Sequence, residues 1–380
     1  MKQLQRIAFI VDSEFFVKHV GVRSYVLNLI YILNINYLVD IIELLHLPCG
    51  TAIFKEVIIK KLYLKSLNFT TDTLNNKVIN KIEVEQPLYQ ALSTKALVES
   101  KYDAIIFSNA WMIHNHNIDI STTTKTFGIM YDTIPNEYYL QKYNNIHLPL
   151  HDFAHLHYKG FSYFNKFCHK ILCISEKSKT NYNILFPSSQ NKTVSIIPPM
   201  NSYYFDIKIN TNRKNVIILS TPLETRKGID ILPDLINGIA YIDEVIIYGD
   251  TDRSTPHSIK QFFKKLRKDI PVNWYKKITV NTLATCFNKS KLLICASSDE
   301  GLGIPIIEAQ LCGCQIICYN KAPMNTITAN NIYLVENDTK TSIDNINTIL
   351  ANTVDHNKIA QKAREKYKYE KVLKYFDSII

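Results

Sequence analysis

The sequence lacks a long hydrophobic run. In its 380 residues no apolar stretch approaches the ~20 residues that a helix needs to cross a bilayer. The first stretch, Ile7–Val11, follows Lys2 and Arg6 and has only five residues, which suits a buried strand better than a secretory signal. We therefore expect a cytoplasmic protein.

Paired metal ligands are also scarce. The eight cysteines are scattered, with only Cys312 and Cys314 close together, so we expect reduced core residues and no zinc site. The histidines that lie near one another lack matched carboxylate or thiolate partners: His114, His116, His151, His155 and His157. Structural roles are favoured for them over a metal site. Asp250-x-Asp252 is interpreted as a turn, with metal binding as the lesser alternative, so no metal or cofactor is expected.

The charge is strongly positive. The formal net charge is +10, and Lys260–Lys277 holds seven basic residues against the single Asp269. A solvated helix face explains this stretch, while contact with anionic lipid headgroups is the functional alternative. Nucleic acid is less favoured because no recognition motif accompanies the charge. Phe54–Lys65 mixes basic and apolar residues in a pattern that fits a strand as well as a membrane-surface helix.

Short β-branched runs alternate with amphipathic segments along the whole chain, which predicts doubly wound, mainly parallel sheets. The predicted strands of the first half are Arg6–Asp12, Leu38–Leu45, Tyr102–Ser108, Thr126–Tyr131 and Lys170–Ser175. Those of the second half are Asn215–Ser220, Glu244–Tyr248, Leu292–Ala296 and Gln315–Tyr319. With 46% hydrophobic residues, the chain can bury two separate cores.

The paired prolines Pro198 and Pro199 interrupt regular structure between the two halves. We therefore predict an α/β domain at 1–197, a second at 198–357 and a final helix at 358–380. Ligands of doubly wound sheets bind beyond the carboxyl ends of the strands, so the two domains are expected to face each other across a ligand-binding cleft.

The most informative stretch is 297–313, where Glu300 and Glu308 flank a glycine loop that opens a helix. Gly301 and Gly303 permit a sharp turn, and Pro305 fits the first turn of the helix. The N–H groups of Leu302, Gly303 and Ile304 should then point out of the helix start, where an anion such as a diphosphate is favoured.

Glu308 lies about one turn into that helix. A carboxylate there would repel a phosphate unless it serves another part of the ligand, and it can accept hydrogen bonds from two neighbouring hydroxyls. The pattern thus predicts a site for a phosphorylated sugar. The alternative is that Glu308 merely complements the helix dipole and the glycines merely form a turn.

Glu300 and Glu308 form the E-x7-E pattern of retaining nucleotide-sugar glycosyltransferases, and the surrounding residues resemble glycosyltransferase family 4. The resemblance covers nearly the whole chain, because further segments follow in the expected order. It implies the GT-B fold, with the final helix crossing back onto the first domain. It also implies that Glu300 holds hydroxyls of the transferred sugar and that Glu308 holds the ribose.

The other segments depart from the family in places. Val20-Gly21 resembles a Gly-Gly loop near the donor phosphates, but only Gly21 is retained. Tyr131-Asp132 resembles a His-Asp segment in which tyrosine replaces the histidine, so Asp132 would lie near the acceptor or else cap a turn. Ser175 is expected to cap the next helix.

Glu224-Thr225-Arg226-Lys227 resembles a Glu-Pro-Arg-Lys segment. Arg226 and Lys227 are the best candidates to neutralise a diphosphate, since guanidinium and ammonium groups both bind phosphate oxygens. Their positive charge would lie where negative charge develops on the leaving group, so no metal is required. By this resemblance the catalytic residues are Glu300, Arg226, Lys227 and Asp132.

The implied reaction transfers a sugar, with retention, from a nucleotide diphosphate to a hydroxyl of a sugar or lipid-linked glycan. Likeness to mannosyltransferase-like members makes GDP-mannose the first donor to consider, followed by UDP-sugars. The implied setting is bacterial surface polysaccharide such as lipopolysaccharide O-antigen, and membrane contact at the inner leaflet fits it. Two alternatives stay open: a nucleotide-sugar epimerase on the same fold, or a catalytically silent partner that binds a nucleotide sugar or a membrane.

Overall fold

Two separate sheets organise the protein. The computed structural model describes residues 4–12, 20–46, 52–57, 102–113, 124–137, 153–220, 223–249, 254–329 and 331–380. Unit 1 contains the described residues up to Met200 together with Lys368–Ile380, and unit 2 contains Asn201–Tyr367. Within the described ranges, no helix combines the length and apolar character needed to span a membrane.

Unit 1 alternates strands and helices. Its strands are β1 (Arg6–Asp12), β2 (Leu38–His46), β3 (Ala52–Val57), β4 (Ala104–Phe107), β5 (Lys125–Met130), β6 (Lys170–Cys173) and β7 (Thr193–Ser195). Its helices in this part are α1 (Val20–Leu33), α2 (Phe153–Phe167) and α3 (Glu176–Leu185), with short 3-10 turns at Trp111–Ile113 and Pro187–Ser189.

The strand order in unit 1 is β3-β2-β1-β4-β5-β6-β7. All neighbouring strands are parallel except β3, which pairs antiparallel with β2 at the edge. The central strands are almost wholly buried, as expected where helices cover both faces of a parallel sheet. The chain direction across the sheet reverses between β1 and β4, which makes their carboxyl ends the switch point where doubly wound folds bind ligands.

Unit 2 repeats this architecture. Its strands are β8 (Lys214–Ser220), β9 (Glu244–Tyr248), β10 (Val272–Tyr275), β11 (Ser290–Cys295) and β12 (Gln315–Cys318). Its helices are α4 (Tyr203–Asp206), α5 (Leu232–Asn237), α6 (Pro256–Lys265), α7 (Val280–Lys289), α8 (Ile304–Leu311), α9 (Met324–Ile327), α10 (Thr339–Ala351) and α11 (His356–Tyr367), with a 3-10 turn at Thr225–Lys227.

The sheet of unit 2 has the order β10-β9-β8-β11-β12, and all of its pairs are parallel. Its switch point lies between β8 and β11. The prediction of two doubly wound α/β sheets is therefore confirmed, and β1 and β9 have the predicted bounds.

The last helix, α12 (Tyr369–Ile379), belongs to unit 1, where it packs on α1. The hydroxyl of Tyr37 donates to Asp377 Oδ1 at 2.6 Å, and Lys125 Nζ donates to the oxygen of Ile380 at 2.9 Å. The predicted return segment started at residue 358, ten residues too early. Helix α11 stays in unit 2 and packs on α8, and the extended backbone of Lys368 separates the two helices.

Three further expectations change. Helix α1 already begins at Val20, so Gly21 lies in its first turn and not in a loop before it. The helical interpretation of Lys260–Lys277 holds only as far as Lys265, because the chain then turns into β10, the edge strand. The first residues of Phe54–Lys65 belong to β3, and positions 58–65 lie outside the described residues.

Candidate nucleotide-sugar site

The predicted charged residues meet at the switch point of unit 2. Arg226 and Lys227 follow β8, and Glu300 follows β11, the neighbouring strand. Parallel strands end at the same edge of a sheet, so two loops that are distant in sequence are brought together there. The sheet order thus explains why a basic loop and an acidic loop share one site.

Gly228 allows the basic loop to lie against the acidic one. Its φ is +79°, and a Cβ at this position would lie 2.6 Å from the carbonyl oxygen of Ala296. No other residue type fits this left-handed conformation and close approach without strain. The backbone N–H of Ser298 then donates to the carbonyl oxygen of Arg226 at 2.8 Å, which ties the two loops together.

A compact charge cluster results. The ammonium of Lys227 forms an ion pair and hydrogen bond with Glu300 Oε1. Arg226 Nη1 donates to the carbonyl oxygen of Asp299 at 2.8 Å and lies 3.7 Å from Glu300 Oε2, while its Nη2 donates to Glu224 Oε1 at 2.9 Å. The side chains of Lys227 and Glu300 are only 11% and 13% exposed, so water screens their attraction weakly.

The environment keeps Glu300 ionised. Burial alone raises the pKa of its carboxyl, but the charge and hydrogen bond of Lys227, a hydrogen bond from Ser297 and the charge of Arg226 outweigh it and lower the pKa below the ordinary value. Glu300 therefore offers hydrogen-bond acceptors and no proton at neutral pH.

The start of α8 supplies backbone donors beside this cluster. Gly303 caps the helix with a φ of +88°, a conformation that glycine adopts readily, and Pro305 occupies the first turn. Among the described residues, no acceptor binds the N–H groups of Leu302, Gly303 and Ile304, whereas the N–H of Ile306 donates to the carbonyl oxygen of Gly303 at 2.9 Å. Donors at a helix start favour an anion.

Glu308 has different surroundings from Glu300. It lies on α8 and accepts a hydrogen bond at Oε1 from the hydroxyl of Tyr204, at 3.0 Å. No lysine, arginine or histidine in the described part of the chain forms an ion pair with it. Burial therefore raises the pKa of Glu308 to about 7, although the Tyr204 hydrogen bond acts in the opposite direction. The E-x7-E pair thus contains one carboxylate that is ionised at neutral pH and one whose pKa lies at about 7.

The remaining predicted site residues lie in unit 1. Gly21 is exposed on the first turn of α1, and a Cβ there would meet open space. Asp132 is partly buried, and its Oδ1 accepts from the backbone N–H of Ile134 at 3.1 Å, which is the turn-capping role weighed as the alternative for it. Ser175 caps α3 as predicted, accepting from the N–H of Ser178 at 3.0 Å.

Tyr131, where the family-4 resemblance expects a histidine, is held by contacts within unit 1. The hydroxyl of Tyr131 donates to the carbonyl oxygen of Ser108 at 2.9 Å, and its ring lies edge-on to Tyr25 with 5.5 Å between centroids. Burial first, then Tyr25 and Asp12, raise the pKa of Tyr131 well above its ordinary value. Its hydroxyl therefore stays protonated and serves as a donor within unit 1.

Sequence reasoning missed two features. No sequence motif surrounds Tyr204. Its role is revealed only by its hydrogen bond to Glu308, which lies 104 residues further along the chain. In unit 1, buried Asn109 donates to Asp12 Oδ2 at 2.9 Å at the switch point between β1 and β4. The available signal for the Asn109–Asp12 pair was the polar residue at or just after the end of the predicted strands Arg6–Asp12 and Tyr102–Ser108.

Metal ligands were weighed at the histidines and at Asp250-x-Asp252. His155 and His157 lie on α2, while His114, His116, His151 and positions 250–253 are outside the described residues. Over the ranges that are described, no three histidine, cysteine or acidic side chains are grouped as a metal would need.

The geometry agrees with comparisons to known proteins. Residues 204–366, which lie within unit 2, match the family model for Glycosyl transferases group 1. No curated protein gave a match to the chain.

Solved structures extend the likeness to both units. The structure is similar to Anabaena HepE in complex with UDP and glucose, with a TM-score of 0.64, 12% identity and 99% of each chain covered. It is also similar to sucrose-phosphate synthase from Thermosynechococcus elongatus, with a TM-score of 0.64, 14% identity, and 99% of this chain and 98% of that chain covered. A third similar structure is WaaG, a glycosyltransferase involved in lipopolysaccharide biosynthesis. Its TM-score is 0.62 and its identity 12%, with 98% of this chain and 99% of that chain covered. The protein has the GT-B fold of two Rossmann-like domains.

Proposed function

We propose that the protein is a retaining glycosyltransferase that moves a sugar from a nucleotide diphosphate to a hydroxyl of a sugar or lipid-linked glycan. The observation that carries this proposal is the grouping of Arg226, Lys227 and Glu300 beside backbone N–H groups at the start of α8 that have no acceptor among the described residues. Glu308 lies further along the same helix. A diphosphate needs cations and N–H donors, and a sugar needs carboxylate acceptors. This site offers both, because the ends of β8 and β11 bring the two loops together.

The cations keep donors for a diphosphate. An ammonium has three hydrogens and a guanidinium five, so the contacts of Lys227 and Arg226 with Glu300, Glu224 and Asp299 leave N–H groups for phosphate oxygens. As the bond to the anomeric carbon breaks, negative charge grows on the leaving phosphate. Fixed positive groups at that point lower the barrier without a metal, so none is included in the proposal.

The two glutamates would hold the two sugars of the donor. Ionised Glu300, fixed by Lys227, would accept hydroxyls of the transferred sugar. Glu308 would accept the ribose hydroxyls. Retention would follow from attack on the face that the leaving group departs from, as the family-4 resemblance implies. Retaining glycosidases instead use a carboxylate nucleophile beside an acid.

Two nucleotide sugars are the candidate donors. GDP-mannose follows from the family-4 resemblance of the Tyr131 and Arg226 segments. A UDP-sugar is supported by Anabaena HepE, which was solved with UDP and glucose and shares the fold. A setting in surface polysaccharide synthesis is supported by the role of WaaG.

Contact with an anionic membrane surface would suit a lipid-linked acceptor. The exposed lysines of α6 and the β10 region carry this part of the proposal: Lys260, Lys264, Lys265, Lys268, Lys276 and Lys277. Sedimentation with anionic vesicles at low and high salt tests it, since electrostatic binding is lost at high salt.

Calorimetry with UDP, GDP, dTDP and their sugars, without added metal, tests the donor site. We expect one nucleotide to bind the wild-type protein and to lose most of its affinity in the Arg226→Ala/Lys227→Ala and Glu308→Ala proteins. Lys264→Ala, an exposed lysine on α6, is the matched control. Binding of no nucleotide by the wild-type protein contradicts the proposal.

A second candidate is a silent partner that binds a nucleotide sugar without transfer. The specific observation in its favour is Tyr131, whose hydroxyl is occupied by Ser108 where the family has an imidazole. Incubation of the bound nucleotide sugar with glycan acceptors, followed by NMR, separates the two. Release of nucleotide with an anomeric product supports the enzyme, and binding without release supports the silent partner.

A further inference from the structure

Tyr204 has a contact with Glu308 that no motif explains. It lies on α4 at the start of unit 2, is 1% exposed, and donates its hydroxyl to Glu308 Oε1 at 3.0 Å. Burial first, and then the nearby Glu308, raise the pKa of Tyr204 well above its ordinary value, so the hydroxyl keeps its proton and acts as a donor.

The other titratable groups around Glu308 do not replace this contact. Tyr248, at the end of β9, and Cys312, just after α8, are close enough to interact with its charge but form no hydrogen bond with it. From α11, Arg364 directs its Nε to the carbonyl oxygen of Leu311 at 3.2 Å. Strands β11 and β12, which pack against α8, carry the buried thiols Cys295 and Cys318. Among the described residues, Tyr204 is therefore the hydrogen-bond donor that orients Glu308.

We propose that Tyr204 is a positioning residue for the donor nucleotide, holding Glu308 so that its carboxylate accepts the ribose hydroxyls and coupling nucleotide binding to release of a proton. This inference rests on the proposed function of the site.

The chemistry follows from the acceptor capacity of a carboxylate. The Tyr204 hydroxyl occupies one lone pair of Oε1, which leaves Oε2 and the second lone pair of Oε1 for two adjacent hydroxyls. A protonated carboxyl has fewer acceptor sites, so the nucleotide selects the ionised form. Burial holds the pKa of Glu308 at about 7 in the free protein, so a fraction of the molecules carries a protonated Glu308 near neutral pH. Those molecules lose this proton when the nucleotide binds.

The test is calorimetry with the nucleotide sugar that binds best, whose two phosphates are fully ionised throughout, from pH 6 to 9, in pairs of buffers with different ionisation enthalpies. For the wild-type protein we expect the affinity to rise as the pH increases through the pKa of Glu308. Below that pKa, binding should release a proton. Tyr204→Phe should bind about tenfold more weakly at neutral pH, the loss typical of a hydrogen bond to a charged group. The midpoint of its pH profile should move to higher pH, because the bond that favours ionised Glu308 is gone.

Tyr248→Phe is the matched control, since it removes a buried hydroxyl near Glu308 without touching the hydrogen bond. It should keep the wild-type midpoint. A merely structural role for Tyr204 would lower affinity equally at every pH and leave the midpoint unchanged, which overturns the inference.

Glu308→Gln gives a second measurement that does not depend on the folding of the tyrosine variant. It should abolish proton release, and continued release would also overturn the inference. Wild-type protein that binds no nucleotide overturns the proposed function, and this inference with it. Wild-type binding with an unchanged Tyr204→Phe profile overturns the role of Tyr204 alone.

Discussion

The carboxyl edges of the two sheets share a topology but not a chemistry. In unit 2 the edge between β8 and β11 gathers Arg226, Lys227 and Glu300 next to backbone donors that have no acceptor within the described residues. In unit 1 the edge between β1 and β4 gathers polar groups that satisfy one another, as Asn109 does with Asp12 and Tyr131 with Ser108. The same fold thus places cationic side chains and backbone donors at the edge in one unit, and hydrogen-bonded polar pairs beside aromatic rings in the other.

The difference shows what a switch point provides. It brings loop ends together, and the residues on those loops decide whether a ligand is bound. In unit 1 the rings of Trp111 and His157 stack with 5.1 Å between their centroids, so aromatic side chains lie where unit 2 has charged ones. The following predictions test this contrast, beginning with the largest expected effect.

Replacing Lys227 by alanine should reduce kcat by roughly 10²–10³-fold, the usual loss when one group that stabilises developing charge is removed. The variant also leaves Glu300 without its main counter-charge. Steady-state kinetics with the identified donor measure this, with Lys340→Ala, an exposed lysine on α10, as the control. A decrease of kcat by less than tenfold would show that Lys227 does not stabilise the transition state.

The two glutamates of unit 2 should affect stability in opposite pH ranges. The folded pKa of Glu308 is raised from 4.5 to about 7, so its contribution is complete below pH 4.5 and is lost as the pH rises to about 7. The loss should reach about 3 kcal/mol at most. The folded pKa of Glu300 is lowered, so its contribution is present above pH 4.5 and is lost on acidification through that folded pKa.

Urea unfolding of the wild-type, Glu308→Gln and Glu300→Gln proteins at pH 5 and pH 8 measures the first difference. Between these values the wild-type protein should lose stability relative to Glu308→Gln, whereas its advantage over Glu300→Gln should hardly change. A constant difference between wild type and Glu308→Gln would show that Glu308 titrates at its ordinary pKa.

Alanine at Gly228 should destabilise the protein by about 1–3 kcal/mol, since it forces a positive φ and a contact with the carbonyl oxygen of Ala296. Alanine at Gly21, in the open first turn of α1, should leave stability unchanged or slightly higher. Thermal unfolding of both variants compares the units directly. Equal stability of the two variants would mean that the loops of unit 2 can separate without cost.

A small loss of stability is expected for Tyr131→Phe. The variant loses one hydrogen bond to Ser108, worth about 1 kcal/mol of unfolding free energy, and keeps the ring contacts. Its kcat should stay within a few-fold of the wild-type value. A decrease of kcat by more than tenfold, with unchanged stability, would mean that the Tyr131 hydroxyl acts on the reacting sugar. Polar groups of unit 1 would then take part in the reaction as those of unit 2 do.

Much of the fold could be predicted because parallel strands are short, apolar runs with clear ends. Strand β1 was predicted to the residue for this reason. Strand β10 was missed because Val272–Tyr275 alternates at a sheet edge inside a basic stretch, and its pairing with β9 depends on residues elsewhere in the chain. The break at Lys368 was missed because the apolar spacing is helical on both sides of it.

The sequence by itself determined the two doubly wound sheets and the spacing that puts Glu300 and Glu308 around a helix start, because periodicity and glycine placement are local properties. Only the tertiary structure decided the chemistry of the pair. Lys227 reaches Glu300 across 73 residues, and Tyr204 reaches Glu308 across 104. Burial and these distant partners keep one carboxyl ionised and bring the pKa of the other to about 7, and no local pattern encodes either.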